Sequence, residues 1–374
     1  MLPEKKYIRV TAMKRMITWA AAALVAAVTI LPCRVDALSA KHAILVDACT
    51  GRVLMEKDAD SRALIASTTK IMTALVVCEQ CNVLDRMSIP KEAVGIEGSS
   101  MYLREGEVLT IQDLLYGLML RSGNDAATAL AIYCGGTVEG FAQLMNDKAH
   151  KLGMSSSHFE NPHGLDSPNH YSTAHDLAVL ASYAMRNPIF AQTVSAKIVT
   201  AGQRRLQNHN KLLWRLDGAD GVKTGYTRAA GRILVSSATR DGRRLIAVTI
   251  NAPDDWNDHI SMLNRGFERY ENRLLIKAGD RVGVRNVVGG ISNAVDLIAA
   301  EDFVYSLAKD EEISYGIGAC EFEYAPVNAG DEAGYLYICI QGKPVGKVRL
   351  LYAATVEQCQ NEKLPFWKRW IGGS

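Results

Sequence analysis

Strand signals stand at both ends of residues 38–275 while helical periodicity fills the middle, so the two ends must share one sheet that carries a mostly helical insertion. At the first end, His42-Ala-Ile-Leu-Val-Asp47 and Val53-Leu54-Met55 flank a Thr50-Gly51 turn, a β-hairpin pattern. At the second, Gly221-Val-Lys-Thr-Gly-Tyr-Thr227 is followed by Ile233–Arg240 and Arg244–Asn251, which an Asp241-Gly242 turn joins. Between them the spacing predicts helices over 66–82, with Ser67 at its start, 110–121, where Thr110-x-x-Asp113 has the form of a capping box, and 125–134, closed by Gly135-Gly136. Further helices are expected at 137–152, near 174–186 and over 256–273. A loop rich in His, Asn and Pro spans 155–171.

A chain of 374 residues exceeds the roughly 250–300 at which one hydrophobic core stops growing, so a boundary is required. Beyond 276 helix signals fade. Short alternating strands and Gly turns follow, as in Gly334-Tyr-Leu-Tyr-Ile-Cys-Ile340, Gln341-Gly342 and Val345–Leu351, and residues 276–360 read as a small β-rich domain. The tail 361–374 interleaves Phe366, Trp367, Trp370 and Ile371 with Lys363, Lys368 and Arg369. That pattern suits either peripheral membrane contact or packing on the β-rich domain.

Five cations, Lys5, Lys6, Arg9, Lys14 and Arg15, precede the apolar run Met16–Leu31, and Arg34 and the small-x-small site Val35-Asp36-Ala37 follow it. Residues 1–37 therefore read as a signal peptide, with an uncleaved anchor as the alternative, and either form exports the remainder. Without this segment the formal charge changes from +2 to −2. Such a balance gives no electrostatic basis for nucleic-acid binding, which displaces counterions with basic surface. Eight cysteines, at 33, 49, 78, 81, 134, 320, 339 and 359, leave seven after cleavage, so at least one stays unpaired. Cys78 and Cys81 form a CxxC inside a predicted helix with no partner CxxC, an arrangement that fits buried thiols or an incidental disulfide better than a zinc ribbon.

Three short patterns carry chemistry: Ser67-Thr-Thr-Lys70, Ser122-Gly-Asn124 and Lys223-Thr-Gly225. Each alone is weak, since Ser306-Leu-Ala-Lys309 and Ser167-Pro-Asn169 match the first two as well. Context separates them: a helix start, an interhelix break and a strand beside a hairpin. Residues three apart share a helix face, so Lys70 reaches the Ser67 hydroxyl. Lys70 accepts the serine proton only when neutral, and burial with a nearby cation such as Lys223 favours that state. The backbone N–H of Ser67 at the helix start can hold an oxyanion, and the N–H of Tyr226 is the candidate second donor.

These residues resemble the penicillin-recognising serine enzymes, above all the low-molecular-mass penicillin-binding proteins that are D-alanyl-D-alanine carboxypeptidases. Ala66-Ser-Thr-Thr-Lys-Ile-Met-Thr-Ala74, Ser122-Gly-Asn-Asp125, His158-Phe-Glu-Asn-Pro-His-Gly-Leu-Asp166, Asn210-Lys-Leu-Leu213 and Asp220-Gly-Val-Lys-Thr-Gly-Tyr-Thr227 all look like that family, as do the motif separations of 55 and 101 residues. The resemblance implies a β-lactamase/transpeptidase-like α/β (α+β) catalytic domain over 38–275, with a mainly antiparallel sheet and a helical subdomain. It further implies that Ser67 is acylated by the penultimate D-Ala of a peptidoglycan stem peptide, releasing the terminal D-Ala. Lys70 would be the base, Ser122 and Asn124 would relay protons and position the peptide, and Lys223 would set the local field. The segment Thr224, Gly225, Tyr226 and Thr227 would bind substrate, the two threonines taking its terminal carboxylate. Covalent inhibition by β-lactams, a role in cell-wall maturation at the extracytoplasmic face of a bacterial membrane, and no metal or organic cofactor are implied too. Two positions depart from the pattern: His209 stands where some relatives have an arginine, and Arg232 where many have a small residue.

Three other readings are open to the same sequence. A serine β-lactamase needs a carboxylate to activate the deacylating water, and Glu160, read as an exposed loop acid, is the residue to test. A metal-binding protein is the second, since five of the eight histidines fall from His150 to His175, although no HExxH occurs among them. A non-catalytic peptidoglycan-binding or β-lactam-sensing protein is the third, against which intact Ser67, Lys70 and Lys223 argue.

Overall fold

The computed structural model describes residues 38–359, and the expected leader at 1–37 and tail at 361–374 lie outside the described residues. No described helix is long and apolar enough to cross a membrane. The described chain divides into two compact units, 38–271 and 272–359. This division falls four residues before the expected boundary.

The first unit opens with β1 (His42–Asp47), β2 (Val53–Lys57), a 3-10 turn at Ala66–Thr69 and α1 (Lys70–Gln80). Next come β3 (Arg86–Ser88), β4 (Val108–Thr110), α2 (Ile111–Leu120), α3 (Asn124–Gly135), α4 (Val138–Lys151), α5 (Ala174–Ala184) and α6 (Pro188–Ser195). It closes with β5 (Ile198–Ala201), β6 (Arg204–Gln207), α7 (Leu212–Arg215), β7 (Ala219–Thr227), β8 (Gly231–Arg240), β9 (Arg243–Ile250) and α8 (Asp255–Arg269). Five strands form an antiparallel sheet in the order β2-β1-β9-β8-β7, so the two ends of the unit do meet in one sheet. Leu45, Leu54 and Leu245 on one face lie against Gly266 of α8. Ile44, Val46, Ile246 and Val248 on the other join the core built by the inserted helices. Covering both faces explains why β1 and β9 read as continuous apolar runs.

Local chemistry sets several boundaries. Thr110 and Asp113 form the expected capping box, each side chain accepting from the other's backbone N–H at 3.0 and 3.2 Å. The helix expected over 66–82 is in fact a 3-10 turn followed by α1, because Ala66 takes a positive φ of 44° and tightens the entry. The helix expected to run to 273 stops at Arg269, and Tyr270–Ile276 becomes a strand. Pairing of that strand across to 303–308 overrides the local propensity of Glu271 and Arg273. Helix α6 escaped the sequence reading although Asn187-Pro188 is a start signal: Asn187 Oδ1 accepts from Ile189 N and Phe190 N.

In the second unit, β10 (Tyr270–Ile276) pairs with β13 (Phe303–Ala308). Strands β11 (Arg281–Val288), β12 (Ala294–Ala299), β14 (Ile313–Gly318), β15 (Phe322–Tyr324), β16 (Glu332–Ile340) and β17 (Lys343–Tyr352) form a six-stranded sheet in the order β14-β16-β17-β12-β11-β15. Val282, Val295, Leu297, Leu336, Ile338, Val348 and Leu350 supply its core. The seven described cysteines are all free thiols. Burial pushes the Cys78 thiol up to about 12, which keeps it from reacting as a thiolate.

Candidate active site

The 3-10 turn at Ala66–Thr69 places Ser67 at the entrance of α1, and three residues later Lys70 Nζ lies 3.1 Å from Ser67 Oγ. Two further acceptors surround the amine, Asn124 Oδ1 at 2.7 Å and the carbonyl of His163 at 2.6 Å. Lys70 is wholly buried. Burial first, and the Lys223 cation second, hold its pKa well below the usual lysine range, against the opposing pull of Asp125. A neutral amine donates two hydrogen bonds, which the Asn124 and His163 oxygens accept, and its lone pair is then left for the Ser67 proton. The environment therefore favours the uncharged amine beside Ser67 Oγ.

Asn124 owes its position to the break between α2 and α3. Ser122 turns the chain there with φ +61°, a left-handed conformation uncommon outside glycine, and is almost fully buried. Asn124 Nδ2 donates to the Glu97 carbonyl at 2.5 Å, and its backbone N–H to Ser99 O at 2.7 Å. Asp125, buried beside it, accepts from Met101 N, Leu103 N and Ser100 Oγ, and so ties the 98–103 loop to the start of α3. Gly98 is required at this approach, because a Cβ there would lie 2.8 Å from Asn124 Nδ2 and its φ is +93°.

The loop at 155–171 braces the other side. Asn161 Oδ1 accepts from Gly164 N at 2.7 Å and Asn161 Nδ2 donates to Leu165 O at 3.0 Å, which aims the His163 carbonyl at Lys70. His170 Nδ1 accepts the N–H of Glu160, so Nε2 carries the proton and donates to Thr69 Oγ1 at 2.7 Å. Burial, above all, pushes His170 down to about 4 and His163 to about 3, so both are neutral. Two other histidines of the run have separate partners, His158 the Asn169 carbonyl and His175 the Asp60 carboxylate. Among the described residues no group of three or more His, Cys, Asp or Glu is gathered to hold a metal ion. Glu160 is half-buried rather than exposed as expected, its carboxylate held by Ser167 Oγ and by Asn169 Nδ2.

Strand β7 is the edge of the sheet and runs past Ser67. Gly225 allows the approach: a Cβ built on it would lie 3.3 Å from both Ile65 O and Ser67 N. Lys223 is buried, its Nζ 2.9 Å from Thr224 O, and burial lowers its pKa to about 7. A cleft of about 320 Å³ opens over Ser67, walled by Ser122, Thr224, Gly225, Tyr226, His209 and Arg232 among others. Thr227 is not on its lining, since the Thr227 hydroxyl donates to Asp166 Oδ1 at 3.1 Å and accepts from Ala230 N at 3.0 Å. The unusual Arg232 reaches Asp255 Oδ1 at 2.7 Å and lies 5.9 Å from the Trp256 ring centroid, fixing the start of α8 as a cleft wall.

Sequence reasoning thus named the five polar side chains at the centre but missed Asp125, the His163 carbonyl and Asn210, whose Nδ2 donates to Gly221 O at 2.8 Å and pins β7. Asp125 and Asn210 lay inside segments quoted for their resemblance. No residue-level signal pointed to the carbonyl.

Comparison with known proteins agrees with this geometry. Residues 30–254 match the family described as D-alanyl-D-alanine carboxypeptidase, and residues 270–358 match the C-terminal domain of penicillin-binding protein 5. The chain is 32% identical to the D-alanyl-D-alanine carboxypeptidase DacF of Bacillus subtilis over 349 residues, 89% of each chain. It is 33% identical to DacC of Escherichia coli, another D-alanyl-D-alanine carboxypeptidase, covering 86% of this chain and 85% of the relative. Among solved structures, penicillin-binding protein 5 from Haemophilus influenzae superposes with a TM-score of 0.76 at 30% identity, covering 86% of this chain and 98% of the other. On the match to its catalytic region, the chain belongs to the D-alanyl-D-alanine carboxypeptidase family of serine peptidases.

Proposed function

We propose that Ser67 is the nucleophile of a D-alanyl-D-alanine carboxypeptidase that trims peptidoglycan stem peptides. The observation that carries this reading is the buried Lys70 amine 3.1 Å from Ser67 Oγ, its pKa pushed well below the usual lysine range by burial and by Lys223. Lys70 takes the serine proton as Oγ bonds to the carbonyl carbon of the penultimate D-Ala. The N–H groups of Ser67 and Tyr226 hold the resulting oxyanion. When the C–N bond breaks, the proton passes by way of Ser122 to the departing D-Ala amine. Water then adds to the acyl carbon, giving its proton to Lys70, and the Ser67 ester bond breaks as Oγ regains a proton. Asn124 orients both Lys70 and the peptide, while Thr224 binds the terminal carboxylate.

Glu160 supports this reading over a β-lactamase, because Ser167 and Asn169 hold its carboxylate and it is absent from the cleft lining. β-Lactams should acylate Ser67 and leave slowly. We place the protein outside the cell membrane, with the tail at 361–374 as its membrane contact. Mass spectrometry after brief β-lactam exposure should find the adduct on Ser67, and a D-Ala-D-Ala pentapeptide should lose one D-Ala. An adduct elsewhere, or none with no D-Ala release, sinks the proposal.

A further inference from the structure

Beside the serine cleft lies a second hollow of about 640 Å³, with Arg121, His209, Lys211, Trp214 and Arg215 on its walls and no acid among its lining residues. His209 and Lys211 line both cavities, so the hollow extends the cleft. Four other arginines of this unit have acidic partners. Arg204 pairs with Glu107, Arg232 with Asp255, Arg243 with Asp47 and Arg244 with Asp220. Among the described residues no ion pair or side-chain hydrogen bond engages Arg121, Lys211 or Arg215. Three uncompensated cations around one hollow make a site for an anion.

The cleft wall tells which anion. Thr224 shares that wall with His209 and Lys211. On the carboxypeptidase reading, on which this inference rests, the substrate's terminal carboxylate lies at Thr224 and so faces the basic hollow. His209 gives it no charge near neutral pH, because burial, Lys223 and Arg121 push its pKa down to about 4.

We propose that Lys211, supported by Arg121 and Arg215, is the specificity-determining cation of this chain: it draws the free C-terminal carboxylate of the substrate past Thr224 and so selects chain ends over internal peptide bonds. The function that some relatives place at position 209 is here moved two residues along the chain.

A matched pair of thioester acyl donors separates this from a structural role. Both carry the same D-Ala acyl part; one has a carboxylate on its leaving group, the other the methyl ester of that carboxylate. Lys211→Ala should lower kcat/KM about tenfold for the charged donor, mostly through KM, and leave the ester within about twofold. Removing Arg121 as well should widen the loss, and Lys211→Arg should restore the preference. His209→Arg in the Lys211→Ala background should also rescue the charged donor. Equal losses on both donors, or none on either, would overturn the assignment. A wild-type protein that turned over neither donor would overturn the carboxypeptidase reading and this inference with it, whereas an intact preference in Lys211→Ala would overturn only the inference.

Discussion

The pattern Ser-x-x-Lys occurs in both units, and the copies at Ser67 and Ser306 end in different chemistry. In the catalytic unit, Ser67 and Lys70 straddle the passage from a 3-10 turn into α1, where three residues make about one turn and both side chains meet at 3.1 Å. In the β-rich unit, Ser306 is buried within β13 and Lys309 is exposed just past its end. On an extended chain, side chains three positions apart point to opposite faces. Secondary structure, and not the letters, makes the pair. The units also differ in what they bury: Lys70, Lys223, Asn124 and Asp125 in the first, but only Arg285 and Ser306 among the described polar residues of the second. Burying an amine is costly unless it sheds its charge, and in the catalytic unit that cost is what lowers both lysines.

The sharpest way to break this comparison is to exchange the roles of the two serines. Ser67→Ala should fold, yet lose D-Ala release by roughly 10⁴-fold or more and lose all labelling by a fluorescent penicillin. Ser306→Ala should keep both within about twofold, since it touches no substrate. Labelling that survives in Ser67→Ala would remove the nucleophile from the scheme. A smaller effect separates two glycines. A Cβ on Gly164 would lie 1.9 Å from Ala66 O, at φ +86°, whereas one on Gly316 in β14 would meet nothing within 4 Å. Gly164→Ala should displace the Ser67 turn, lowering kcat/KM about 100-fold and stability by ~1–3 kcal/mol. Gly316→Ala should change urea stability by no more than about 0.5 kcal/mol.

Those glycines also mark where the sequence stops being legible. The hairpin turns, the Thr110 capping box and the central polar side chains are local patterns, and a local reading finds them. By contrast, the His163 carbonyl, held by an Asn161 turn, reaches Lys70 from 93 residues along the chain, and any residue type can offer a carbonyl. Asp125 gathers N–H groups from a loop that precedes it by more than 20 residues, so its role needs the fold. The same holds for β10, whose partner β13 alone decides that it is a strand. Thr227 is a contrasting case, in which a residue of the expected type and segment has its hydroxyl engaged by Asp166.

Acid should distinguish the units as well. All eight histidines precede residue 272, and burial lowers His163 and His259 to about 3 and His170 to about 4. In the unfolded chain each titrates near 6.5, so below that pH the unfolded state binds more protons than the folded one. Their stabilisation is therefore complete above about 6.5 and is lost as the pH falls toward 4 and then 3. Hydrogen exchange at pH 4.5 should show opening of α5 and α8 while β16 and β17 stay protected. Simultaneous loss in both units would mean that the histidines do not set acid stability.

The smallest expected effect concerns the rate profile, and it bears on why Lys223 is buried. With its pKa lowered to about 7, Lys223 is charged in acid and neutral in base. Its charge helps to keep Lys70 neutral and favours a carboxylate in the cleft, so kcat/KM should fall above about pH 7 by at most tenfold per unit. A bound peptide carboxylate returns the proton to Lys223, which moves the alkaline limb of kcat upward relative to that of kcat/KM. Lys223→Arg fixes the charge. It should therefore shift the alkaline limb of kcat/KM to higher pH even if the rate itself drops, whereas Lys309→Arg in the β-rich unit should leave the profile in place. An alkaline limb unmoved by Lys223→Arg would assign that titration to another group and leave Lys223 a purely structural cation.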